Sequence, residues 1–580
     1  FGEEERRRRR RGPPAPGPTP AALRFALRQG DAGRARWLRR HFATAACGGG
    51  GGGGGGVVFF DGGGAQRQGP GGAEELAAAA AAAGDADGVL AMLLDEGAEV
   101  EADSLDWDRT TPLIAAAGGG HLKVVELLVE RGADPAGADK DGVTALMEAA
   151  AKGDLPVVAY LCDRPLEIDQ TASSGATALW LAAGEGRTEV VRHLLEHGAD
   201  PRVSRDDGIS ATMAACVGGH LPVVEALLDA GADVEERDGD QVTPLMNAAE
   251  NGSLPLIEVL LGHGADAGAM SDSGFTPLIV AAAGGHLDVC KLFVEREKVD
   301  VNAMHESGVS ALMYAAAGGH AEVVGYLVAR GADVNAVHVQ GGSALMEAAT
   351  AGGLDVMKVL VEAGADYHIK DNDAVTPLMS AASQGHLNVT EYLVGEKEVG
   401  PDARANSGGT ALMFAAGGGH LEVCKYLLEK GVDVNAAAIA TPEYLNQINE
   451  AIAAGNTDVE PHTNGVTSLM VAALGGHSEV VKLLLEHGAD PTMVDENGGT
   501  ALENALKVKD IEAAQALVEA GASPDIRYED DEGKKHNPLL DALHDKNEGF
   551  ATAFVQKGAP TGQKDRRGRT ALVLAAEAGL

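Results

Sequence analysis

The chain has 580 residues and a formal charge of −40 at pH 7, but the charge is divided: residues 1–72 hold 13 Arg and no Lys against 5 acidic residues, which leaves 33 bases against 81 acids beyond them. So acidic a surface repels a phosphate backbone, which argues against DNA or RNA binding by the bulk of the chain and for other proteins, basic ones first, as partners. The five cysteines are odd in number and lack the close pairs of a disulfide or zinc framework, and no apolar run approaches the roughly 18 residues of a membrane span.

Residues 1–72 read as a low-complexity, mostly disordered basic leader, with arginines at 6–11, a Pro-rich stretch to Pro20 and nine consecutive glycines at 48–56. Between them, 21–42 has helical periodicity and a basic face of Arg24, Arg28, Arg36, Arg39 and Arg40. That pattern serves an organelle-targeting helix or a docking arm. Glu3, Glu4 and Glu5 and the absence of Ser before Ser104 count against targeting, and a solvated, composition-biased leader is favoured. Phe1 at the start and a repeat broken off at Leu580 read as the ends of a piece of a longer protein.

From residue 73 onward a block of the form G-x-T-[PA]-L-M followed by two alanines recurs. Its anchors are Thr111, Thr144, Thr177, Ser210, Thr243, Thr276, Ser310, Ser343, Thr376, Thr410, Thr467, Thr500, Asn537 and Thr570. The spacing is 33, except for 34 before Ser310 and Thr410, 57 before Thr467 and 37 before Asn537. In the unit at Thr410, Leu412, Met413, Ala415 and Ala416 predict a short helix, and the glycines at 417–419 end it. His420 opens a second helix that turns Leu421, Val423, Cys424, Tyr426, Leu427 and Leu428 inward, and Gly431, Val432 and Asp433 close it. Helices so short bury too little alone, so neighbouring units must stack.

These residues resemble the ankyrin repeat family. Asp141, Gly142, Thr144, Leu146, Ala149 and Ala150 carry its first half in one copy, and Thr243-Pro244-Leu245 and Thr376-Pro377-Leu378 carry it in two more. His220, Val224, Leu227, Leu228, Gly231, Ala232 and Asp233 supply the second half. The resemblance implies an all-α solenoid of helix-turn-helix units with hairpin-like fingers, about fourteen repeats after a degenerate N-terminal unit. Packed helices about 8–10 Å apart would make it on the order of 120–140 Å long. The expected organisation is the leader at 1–72, repeats at 73–436, a helical insertion at 437–463 and repeats at 464–580, the last incomplete. The family's usual histidine after T-P-L is replaced by Met147, Met213, Met246, Met313, Met346, Met379, Met413 and Met470. One methionine per repeat, inside the motif, reads as core rather than as an adaptable binding stripe.

Residues suited to catalysis or metal binding occur without the spacing such chemistry needs. His121, His220, His286, His320, His386, His420 and His477 stand one per repeat, without the i, i+4 pairing of a zinc site. Asp233, Asp238 and Asp240 faintly resemble a calcium loop that lacks its closing glutamate. No catalytic motif is present, and no catalytic, cofactor or metal residue is assigned.

Candidate contacts with partners therefore rest on surface variation. The position after the methionine changes in chemistry from repeat to repeat and gives Glu148, Leu181, Asn247, Tyr314, Glu347 and Phe414. In the insertion, Thr441 and Pro442 form a helix start, and Tyr444, Leu445, Ile448 and Ile452 an apolar stripe. A helix projecting from a finger is expected there, with its stripe docked on the array in preference to a partner. The functional expectation is a non-enzymatic, monomeric, intracellular scaffold, cytoplasmic or nuclear unless the leader directs it to an organelle. It binds partners along the inner face and fingers. The alternative is the regulatory or substrate-recruiting region of a larger ubiquitin ligase, kinase or ion channel. As a core truncation, Met313→Ala lowers stability by about 2–5 kcal/mol, read as a shift in the urea unfolding midpoint.

Overall fold

The structure, a computed structural model, describes residues 110–453, 463–529, 535–565 and 567–579. The leader with its expected helix at 21–42, Cys47, and the degenerate unit before Thr111 lie outside the described residues. The chain divides into two compact units, Phe1–Glu306 and Ser307–Leu580. In their described residues both are built of short helix pairs, as the sequence predicts.

Each of the anchors is the N-cap of a first helix. In all but Thr570 its side-chain oxygen accepts the amide three residues on, as from Met147 to Thr144 at 3.3 Å. Such a cap is worth about 1 kcal/mol. The helix that follows is only seven or eight residues long, as in Ala145–Lys152 and Ala411–Gly417. Within each unit the first helices lie side by side, because the paired alanines, Ala149 and Ala150 or Ala415 and Ala416, are fully buried and let backbones approach closely. The repeat methionines fill the same layer: none exceeds 5% exposure. Trp180 takes a methionine's place, 6% exposed, its indole N–H donating to the Ile209 carbonyl at 3.1 Å.

The turn histidines tie consecutive repeats together. His220, His286, His386, His420 and His477 each place Nε2 within 2.8–3.2 Å of a carbonyl in the preceding repeat, so the N–H sits on Nε2 and donates. The preceding repeat's turn glycine is held against the same ring. Gly252 has φ +73, and a Cβ there would lie 2.3 Å from His286 Nδ1, so both conformation and space demand glycine. Among the described residues no group of His, Cys, Asp or Glu is arranged to hold a metal. Asp238 instead accepts backbone N–H bonds from Asp240 at 3.0 Å and Val242 at 2.8 Å, which shapes a finger. Cys162, Cys216, Cys290 and Cys424 are free. Burial pushes the Cys290 and Cys424 thiols up to about 12, as expected of packing cysteines.

Irregular spacings are absorbed outside the first-helix layer. In the two repeats with one extra residue, the second helix changes to a π-turn at Leu292–Arg296 and Tyr392–Glu396. Lys298 and Glu398 then adopt φ +58 and +55. Before Asn537 the additional residues extend a finger into a short antiparallel pair, Tyr528–Glu529 with Lys535–His536.

The largest insertion leaves its finger closed in the ordinary way. Ala438 N–H donates to Val466 O at 2.8 Å and Gly465 N–H to Ala438 O at 2.7 Å. In an uninterrupted finger His338 N–H donates to Gly342 O at 3.0 Å and Gly341 N–H to His338 O at 2.7 Å. The extra residues are thereby 440–463, opening from the fingertip, and Pro442–Ala453 forms the helix read from the sequence. Excision of 440–463, joining Ile439 to Asn464, restores an ordinary finger. The shortened chain should unfold cooperatively in urea with a stability within about 1 kcal/mol of the parent.

Candidate protein-binding surface

The first helices present their variable position beside the fingers and over the preceding repeat. Glu148 reaches across Gly118, where an added Cβ would meet its Oε2 at 3.1 Å, and Val471 lies over Gly417, whose added Cβ would meet Cγ1 at 2.8 Å. Glycine at that point makes room for the next repeat's side chain. Glu148, Asn247 and Glu347 are half-buried and keep polar surface. The Glu347 carboxylate lies 3.6 Å from Nε2 of His338, joining a first helix to a finger.

Two of the expected contact residues offer almost no surface. Leu181 is 7% and Tyr314 6% exposed. Burial, with the Glu347 charge adding to it, pushes the Tyr314 phenol well above its ordinary range. Their register does not separate them from Phe414, which is half-buried.

Phe414 belongs to a site that the inserted helix completes. The Thr441 hydroxyl accepts the Tyr444 amide at 3.3 Å and caps the helix, while Thr441 N–H donates to Asn406 O at 2.8 Å and fixes its start on the preceding fingertip. Tyr444, Leu445 and Ile448 are half-buried; Ile452's side chain lies outside the described residues. Tyr444 and Ile448 roof a pocket of about 340 Å³ whose walls are Met413, Phe414, Val466 and Val471, with Ser407, Gly409, Ala438 and Thr463 at its edges. Leu445 does not line it. Burial, then the charge of Asp373 on a preceding finger, holds the Tyr444 phenol above its ordinary range. Three sequence candidates, Phe414, Tyr444 and Ile448, thus meet at one place; Glu148, Leu181 and Asn247 belong to the other compact unit. Sequence reasoning missed Met413 and Val466 as pocket walls; Val471 shares Phe414's register and was open to the same argument.

A repeated capped helix pair, a bonded row of fingers and buried alanine pairs agree with the family comparison. The model for ankyrin repeats, described as three copies, matches residues 76–173, 164–238, 245–338, 345–438 and 437–528. The chain belongs to the ankyrin repeat family. Among curated relatives, Ankyrin repeat domain-containing protein 13B of Mus musculus is 33% identical over 100 residues, 15% of this chain and 16% of that protein. Protein phosphatase 1 regulatory subunit 27 of Mus musculus is 39% identical over 98 residues, 17% of this chain and 62% of that protein. An ankyrin repeat and KH domain-containing protein of Caenorhabditis briggsae is 35% identical over 127 residues, 21% of this chain and 5% of that protein. Each match spans less than two thirds of the relative's length. The solved ankyrin repeat domain of human ASB11 is 28% identical with a TM-score of 0.35, covering 43% of this chain and 99% of that one.

The burial difference has a measurable consequence. Tyr314→Ala lowers unfolding free energy by about 3–5 kcal/mol, the range for a buried aromatic, whereas Phe414→Ala costs less than half as much. Urea midpoints of the two variants check the order.

Proposed function

We infer that this ankyrin array is a non-enzymatic interaction scaffold that binds other proteins along the inner face of its first helices and its fingers. The observation that carries the reading is the pairing of an unchanging frame with a changing surface. The caps, alanine pairs and histidine bonds recur, while the position after the methionine runs through Glu148, Asn247, Glu347, Phe414 and Val471. Among the described residues no helix is long and apolar enough to cross a membrane.

A second reading, that the array recruits or regulates for a larger protein, is supported by the relatives. The matched repeats occupy 16% of one and 5% of another, and a third is named a regulatory subunit. Both readings give the repeats the same physical task.

The excess of acid, 81 against 33 bases beyond residue 72, favours partners with basic surfaces by steering their approach. Affinity capture with the full chain tests this. The association rate of a captured partner is expected to fall several-fold between about 50 and 500 mM salt. Salt-independent association would leave the acidity as a solubility device, and failure to capture any protein reproducibly would count against the scaffold reading.

A further inference from the structure

The pocket beneath the inserted helix has a composition that selects its occupant. At about 340 Å³ it lies at the small end of the roughly 300–1,000 Å³ typical of ligand sites. It is walled by Met413, Phe414, Val466 and Val471 and roofed by Tyr444 and Ile448, so an apolar side chain is what it desolvates well. Its surroundings are acidic. The inserted helix Pro442–Ala453 contains Glu443 and Glu450 and no Lys or Arg. Glu443 and Glu450 are exposed on the helix, and exposed Asp373, on the finger before that of Asn406, adds its charge near Tyr444. The cation at the finger's base, Arg404, donates through Nη1 to the carbonyls of Ala437 at 2.7 Å and Gly408 at 3.1 Å, which places its charge at the root of the finger.

We propose that this roofed groove docks a short segment of a partner protein, one bulky aliphatic or aromatic side chain filling the pocket and flanking Lys or Arg residues meeting the acids of the inserted helix and finger. The proposal rests on the scaffold reading and makes it local. The apolar anchor supplies most of the affinity, and the flanking charges supply rate and choice of sequence. The insertion is what makes the site: without 440–463 the floor remains as an open face with no roof. The inserted helix therefore acts as half of a binding site grafted onto one repeat.

The test is selection from a phage-displayed library of random dodecapeptides on the full chain, followed by binding of the selected peptides to three variants: Ile448→Asp, Glu443→Lys with Glu450→Lys, and the excision of 440–463. Selected peptides are expected to share one bulky apolar residue between basic ones. Their affinity should fall at least about tenfold with Ile448→Asp and with the excision. The double charge reversal should weaken binding less and flatten its dependence on salt. Circular dichroism and urea midpoints matching the parent establish that the variants are folded. Peptides without the basic-apolar pattern, or with affinity indifferent to all three changes, overturn the proposal while leaving the general scaffold reading standing. Failure of any peptide to enrich also overturns it, and capture of whole partners then decides the broader reading separately. Tyr444→benzoyl-phenylalanine examines the rival occupant. A photo-cross-link from that position to residues 1–72 in the unliganded full chain would assign the groove to the chain's own arginine-rich leader and overturn a partner as occupant.

Discussion

Helices of seven to nine residues are marginal in water, and the contact that relieves this is the face of one first helix against the next. The remaining regularities serve that contact. Alanine pairs such as Ala348 and Ala349, both fully buried, set how closely neighbours approach. Anchor side chains, in all but Thr570, cap the start of each first helix by accepting the amide three residues on, and the methionines fill the layer between. Histidine bonds and fingertip bonds, such as Asn372 N–H to Gln340 O at 3.0 Å, then fix the angle at which repeats follow one another. Stability is in this sense a property of pairs of repeats rather than of any one.

The same dependence explains where the chain accepts extra residues. A residue added to a first helix would rotate its alanine face away from both neighbours. One added to a second helix widens a single turn, as at Leu292–Arg296 and Tyr392–Glu396. Residues added at a fingertip cost only loop closure, which rises slowly with length. The fingertip accordingly carries the long insertion, and the one large elaboration of the described surface stands beside the variable inner positions.

The fold was legible because its determinants are local and repeat. Thr144 or Ser343 followed by an alanine, leucine and methionine announces a cap and a buried helix face within five residues, and Thr441-Pro442 announces another. The methionines were legible as core from their period. Leu181 and Tyr314 were not legible as buried, because the residues that cover an inner-face side chain belong to adjacent repeats. Nor did spacing alone reveal that an extra residue would become a π-turn, since a one-residue offset is equally consistent with a longer loop. The pocket was legible only in part. Phe414, Tyr444 and Ile448 stood out for chemistry, but their meeting with Val466 and Val471 depends on the return path of the chain after the inserted helix.

The histidine bonds all point one way, from a later repeat to a carbonyl of the one before it. An array so joined has a direction, and its two ends are chemically unlike. Copying in frame a block that carries such a histidine supplies at once a donor for the repeat behind and a carbonyl for the repeat ahead. Such a chain grows by whole-block duplication without exposing an unmatched polar group at the new junction. Evolution can thus lengthen the array first and differentiate its inner face afterwards.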